Sequence, residues 1–121
     1  MPGILWVGLG GIAGALLRYQ LSKWIAERWV VSFPLATLLI NVSGSFVLGL
    51  VTRQATAWFP GHAQAAVLLL GTGLCGAYTT FSTFSYEFTM LWREGRTQAA
   101  LWYLAASCVL GLLAAWVGLH L

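Results

Sequence analysis

Five hydroxyl side chains fall within seven positions, Thr79-Thr80-Phe81-Ser82-Thr83-Phe84-Ser85. They follow closely on three glycines, Gly71, Gly73 and Gly76. Hydroxyls that donate protons, beside phenyl rings with positive edges, can hold an anion weakly in a dry passage. At about 100° per residue, Ser82, Thr79, Thr83, Glu87 and Thr80 fall on one arc. Phe81, Phe84 and Phe88 fall on the adjacent arc. A track of hydroxyls ending in a carboxylate and edged by rings is one reading; ordinary packing of Phe81 and Phe84 at i,i+3 spacing is the other.

Three further polar groups stand next to or inside apolar runs. Asn41 lies in Ile40-Asn41-Val42-Ser43-Gly44-Ser45. An unpaired amide in hydrocarbon costs several kcal/mol, so it serves either as interhelical glue or as a donor facing a pore. Arg18 closes the run Gly10-Gly11-Ile12-Ala13-Gly14-Ala15-Leu16-Leu17. It either snorkels to the interface or concentrates anions at a pore mouth. Glu87 is either a helix-end charge or a carboxylate that takes up protons. His62 reads as a solvated loop residue and His120 as a terminal one.

No enzyme chemistry is visible. The chain has no Asp and no nucleophile–base pair, and Gly8-Leu9-Gly10-Gly11 follows no strand and so is no dinucleotide fingerprint. Cys75 and Cys108 lie in apolar runs and read as buried, inert thiols rather than a disulfide or zinc site.

The elements that position these groups follow from composition. Of 121 residues, 60% are hydrophobic and 7% charged, against roughly 45–50% and 25% in soluble domains. This excludes a soluble globule, a disordered chain and a nucleic-acid module; a net charge of +3 from six cations cannot track phosphates. Charges sit only at 18, 23, 27, 28, 53, 87, 93, 94 and 96. The intervals between them accommodate four spans of about 20 residues, near Gly3–Ser22, Pro34–Arg53, Ala65–Leu91 and Gln98–His120. The expectation is one all-α integral membrane domain over 1–121. Trp24, Trp29, Trp58 and Trp92 flank the spans as an interfacial belt. No segment alternates with period two, which argues against a barrel. Ala13-Gly14-Ala15 resembles a cleavage site, but no Lys or Arg precedes it, so the first stretch reads as a span. Lys23, Arg28, Arg93 and Arg96 oppose Arg53, which favours cytoplasmic loops one and three.

The glycine–hydroxyl stretch is a poor membrane helix, because glycine costs helix stability and Ser/Thr offer the backbone other partners. A third helix broken mid-membrane is expected, freeing carbonyls of the kind that bind ions. Gly10/Gly14 and Ser107/Gly111/Ala115 instead suit close helix packing.

Taken in order, Gly10-Gly11-x-x-Gly14-Ala15-x-x-Arg18-Tyr19, Thr37-Leu38-x-x-Asn41 and Gly73-x-Cys75-Gly76-x-x-Thr79-Thr80-Phe81-Ser82-Thr83-Phe84-Ser85 resemble the Fluc (CrcB) family of fluoride channels. The resemblance implies a dual-topology antiparallel homodimer with two fluoride pathways at the subunit interface. It implies a structural Na⁺ at the centre, held by backbone carbonyls of Gly76 and Thr79. Carried over residue by residue, Asn41, Phe81 and Phe84 line the path, with Thr80, Ser82, Thr83 and Ser107 as track hydroxyls. Thr37, Glu87 and Tyr103 form a polar cluster near one end, and Arg18 stands at the mouth. Ala36, Ala77 and Gly111 depart from the family pattern, where Gly, Gly and Ser are common.

The function expected is fluoride export down its electrochemical gradient across a bacterial inner membrane. A proton-coupled exporter of small cations is the alternative, but its deep carboxylate could only be Glu87. A membrane scaffold without transport would need no hydroxyl track. Dual topology conflicts with the charge count, which with Arg18 places five cations on one side and Arg53 on the other.

Overall fold

In the computed structural model, residues 2–29 and 33–121 are described, and helices account for nearly all of them. The helix α1 (Pro2–Arg28) outruns its expected end by six residues, since nothing in the amphiphilic turn Lys23–Arg28 breaks a helix. At about 1.5 Å per residue its 27 residues exceed the roughly 30 Å hydrocarbon core, so its charged end projects beyond. There the Arg28 guanidinium lies 4.9 Å from the Trp24 ring centroid, and Trp24 meets Trp29 edge-on at 5.5 Å. The second helix, α2 (Leu35–Trp58), starts after Pro34, whose φ of −74° suits a helix entry.

The third span is composite. A short α3 (Ala63–Ala66) runs into a π-helical segment (Val67–Cys75) and a last turn, α4 (Gly76–Tyr78). Thr79 and Thr80 then adopt extended dihedrals, ψ 160° and 122°, before α5 (Phe81–Arg93) begins. α6 (Thr97–Leu119) follows a turn at Gly95, whose φ of +79° needs glycine. All four spans are long and apolar enough to cross a bilayer, by length and composition. No strand occurs among the described residues.

Close backbone contacts explain the glycines. α1 packs on the π-helical segment, and a Cβ on Gly10 or Gly14 would meet the carbonyl oxygens of Leu69 and Leu74. A Cβ on Gly73 would lie 2.6 Å from the Val7 carbonyl oxygen. The helix therefore does not stop at the glycines. They admit a wide π-helical turn, a rare form, and let α1 come close. α2 packs on α6 through Gly49, whose Cβ would stand 2.5 Å from the Ala115 carbonyl oxygen, and through Gly118 against Phe46. Of the small residues expected to pack on α6, only Ala115 makes such an approach; a Cβ on Gly111 would have ordinary clearance, and Ser107 faces a cavity.

Buried Leu38, Leu91, Ala100 and Tyr103 form a core at the α5–α6 end. Many large apolar side chains point outward instead, as suits helices apolar enough to cross a bilayer.

Candidate ion pathway

The interruption after Tyr78 is held by α2. Asn41 pairs with the Thr80 backbone twice: its Oδ1 accepts from the Thr80 N–H at 2.8 Å, and its Nδ2 donates to the Thr80 carbonyl at 3.0 Å. Buried Leu38 and Ile40 anchor this turn of α2, and Ser45 Oγ donates back to the Asn41 carbonyl. Thr80 is also the cap of α5, its Oγ1 accepting from the Thr83 N–H at 3.1 Å. Thr79 folds back, its N–H and Oγ1 both donating to the Cys75 carbonyl, at 3.0 and 2.9 Å.

These bonds leave two acceptors open. In a continuous helix the Thr80 N–H would meet the Gly76 carbonyl, and the Thr83 N–H would meet that of Thr79. Both donors are turned to side chains instead, Asn41 and Thr80. Hard carbonyl oxygens on a broken span suit a sodium ion, so the residues fit that group. Among the described residues no cluster of three His, Cys, Asp or Glu offers another metal site.

Beside the interruption opens a cavity of ≈ 650 Å³, lined by Asn41, Ser45, Gly76, Thr79, Thr80, Phe81, Phe84, Ser107 and both cysteines, among others. Phe81 and Phe84 stand 6.0 Å apart at 38°, and Phe84 leans on Tyr103 at 5.0 Å. Phe81 is 79% exposed, so a single chain walls only one side of this space. Ser107 Oγ is buried there with no hydrogen-bond partner among the described residues, a donor free for a guest. Cys75 is buried as expected; Cys108 is exposed, because this part of α6 turns outward.

A second cavity, ≈ 290 Å³, lies on the other side of Thr80 and holds Arg18, Thr37 and Thr83. Arg18 is half-buried and makes no ion pair among the described residues. Thr80 lines both cavities and separates them. Tyr103, fully buried, donates to Glu87 Oε1 at 3.2 Å, and buried Thr37 adds its hydroxyl to the same phenol. The expected cluster of Thr37, Glu87 and Tyr103 thus comes together.

The single hydroxyl arc does not. Thr79 and Thr80 precede α5, so a helical wheel run through them is out of phase. Thr79 and Thr80 line the larger cavity, Thr83 the smaller, and Ser82 neither; its Oγ sits 3.4 Å from Thr80 Oγ1. Sequence reasoning passed over Ser43, Gly44 and Tyr78, which also touch across α2 and the interruption. The small-polar run Ser43-Gly44-Ser45 inside an apolar helix was the available signal.

A protein-family model described as "CrcB-like protein, Camphor Resistance (CrcB)" matches residues 5–119. The "Fluoride-specific ion channel FluC 2" of Moorella thermoacetica is 46% identical over 114 residues, covering 94% of this chain and 91% of the relative. The "Fluoride-specific ion channel FluC" of Acidobacterium capsulatum is 44% identical over 115 residues, covering 95% and 91%. The "Fluoride-specific ion channel FluC 1" of Geobacillus kaustophilus is 42% identical over 116 residues, covering 96% and 94%.

Proposed function

The chain belongs to the CrcB-like family, a family of channels rather than enzymes, and from that premise we propose that it is a fluoride-selective channel of a bacterial inner membrane. The observation that carries the reading is the cavity beside Thr79–Thr80, where phenyl rings, hydroxyls and an orphan Ser107 hydroxyl converge. Stripping water from a small anion costs tens of kcal/mol in an apolar medium. A conducting path must return much of that through donors, yet hold the ion loosely enough to release it. Hydroxyl protons of Thr80 and Ser107 and the ring edges of Phe81 and Phe84 are such weak donors. Arg18, in the smaller cavity, raises the anion concentration at one mouth. Thr37 and Thr83 continue the polar lining in the smaller cavity; Ser82 backs Thr80 Oγ1 at 3.4 Å, and Tyr103 joins Thr37 to Glu87. With the cell interior negative, the potential drives fluoride outward.

Asn41 serves in both of the parts open to it, as interhelical glue and as a donor. Its oxygen and one N–H are committed to Thr80, so it braces the interruption and leaves a single N–H for the ion.

Two copies are part of the proposal, inserted in opposite orientations, with the interruption at mid-membrane. The exposed Phe81 and the open cavity side support a partner. The carbonyls of Gly76 and Thr79 from each copy would hold one Na⁺, which supplies fixed positive charge beside the anion path. The cation-exporter alternative gains nothing from the structure, because Glu87 already accepts from Tyr103 near the end of the span.

A fluoride-sensitive bacterium producing this protein is expected to grow at higher external fluoride; unchanged sensitivity would contradict the reading. For the assembly, His62 sits in an exposed turn closed by Gly61 at φ +80°. A membrane-impermeant thiol reagent on His62→Cys, in a Cys75→Ala/Cys108→Ala background, is expected to label from both faces, and cross-linking to trap dimers. Labelling from one face alone would mean that the positive-inside count of cations sets a single topology.

A further inference from the structure

We infer that Tyr78 is a positioning residue that sets the direction of the open carbonyls, although it lies outside the cavity; this rests on the channel reading above. Three residues of α2 meet Tyr78 and the two residues of the interruption that follow it. Asn41 holds Thr80. Gly44 leaves room for Thr79, and a Cβ there would also lie 3.1 Å from Tyr78 Cδ2. Ser43 holds Tyr78, with Ser43 Oγ 2.9 Å from the phenolic oxygen.

The direction of that last bond follows from its neighbour. Ser43 Oγ donates to the Ile40 carbonyl at 3.1 Å, so its proton is spent and the Tyr78 O–H is the donor. The pair sits at the edge of a separate apolar crevice of ≈ 200 Å³, walled by Leu17, Leu21, Val47 and Leu74. The Tyr78 O–H has no other partner among the described residues, and in such surroundings an unpaired hydroxyl is costly. The pairing therefore fixes the ring against α2. Tyr78 is the last helical residue before the extended pair. Turning its ring away would rotate the last turn of α4, which carries the Gly76 carbonyl and leads into Thr79. Cys75 lines both this crevice and the ion cavity, so only one side-chain layer separates them.

The test measures fluoride flux in liposomes at equal protein, with thermal unfolding alongside. One neutral hydrogen bond supports a shift of about fivefold. Tyr78→Phe and Ser43→Ala are each expected to lower flux about fivefold. The double variant should also lose about fivefold rather than the product, because both changes remove one bond. Ser43→Thr, which keeps the hydroxyl in an exposed position, should restore wild-type flux. Wild-type flux in Tyr78→Phe, multiplicative losses in the double variant, or a loss confined to thermal stability would overturn the inference, the last making the pair ordinary helix glue. A wild-type protein without flux would instead refute the channel reading itself.

Discussion

Phe81→Ile and Phe84→Ile are each expected to give a folded, correctly sized assembly whose fluoride flux falls about tenfold or more. The two rings face the larger cavity 6.0 Å apart. Isoleucine supplies similar bulk but no quadrupole, so the positive ring edge that stabilises a passing anion disappears. Losing about 1.4 kcal/mol of that stabilisation at the barrier is a tenfold loss of rate. Folding should survive, because swaps that conserve volume usually cost under about 1.5 kcal/mol. Phe81, largely exposed on the single chain, should cost less stability than Phe84, which leans on buried Tyr103. Ser85→Ala is the control: Ser85 lines none of the described cavities, and its variant should conduct normally. Intact assemblies with wild-type flux in both phenylalanine variants would return the rings to simple packing.

Asn41→Ala is expected to damage folding and flux together, whereas Asn41→Asp should separate them. Alanine leaves the Thr80 N–H without a partner inside a span and removes one of the bonds to the Thr80 carbonyl, which as the cap of α5 keeps the first helical one, at about 1–3 kcal/mol for the group left unmade. A fall in thermal stability and in assembly yield should follow. Aspartate keeps an acceptor for the Thr80 N–H but loses the donor to the Thr80 carbonyl, and it sets a carboxylate in the wall of an anion path. A largely assembled protein with flux reduced by two orders of magnitude is the expected result, read by the same flux assay and by size-exclusion chromatography. Normal flux in Asn41→Ala would show that the double bond to Thr80 does not hold the interruption.

The spans were legible because charge is so scarce: nine charged positions leave little choice about where helices cross. Their ends were less so. α1 runs on to Arg28, and α2 to Trp58, since amphiphilic turns continue a helix as readily as they end one. Thr37, Glu87 and Tyr103 meet as the family resemblance implied, though they lie on three helices and no periodicity links them. The hydroxyl arc failed for a local reason. Its wheel assumed regular helix from Thr79 onward, while the Thr80 cap and the Asn41 pairing make Thr79 and Thr80 extended. The glycines misled in the same way. Low propensity marks where a helix is weak, but the close approach of Gly10, Gly14 and Gly73 keeps this one helical, and the interruption falls where side chains can replace backbone partners. The Ser43–Tyr78 bond was invisible because it joins residues 35 apart with no pattern in common.

The most direct measurement is fluoride efflux from liposomes that hold only the purified protein, followed with a fluoride electrode after a potassium ionophore sets the membrane potential. Rapid fluoride efflux, with chloride retained and no response to an imposed proton gradient, is the result expected of a passive fluoride channel. No fluoride efflux, equal release of chloride, or transport of an organic cation driven by the proton gradient would contradict it.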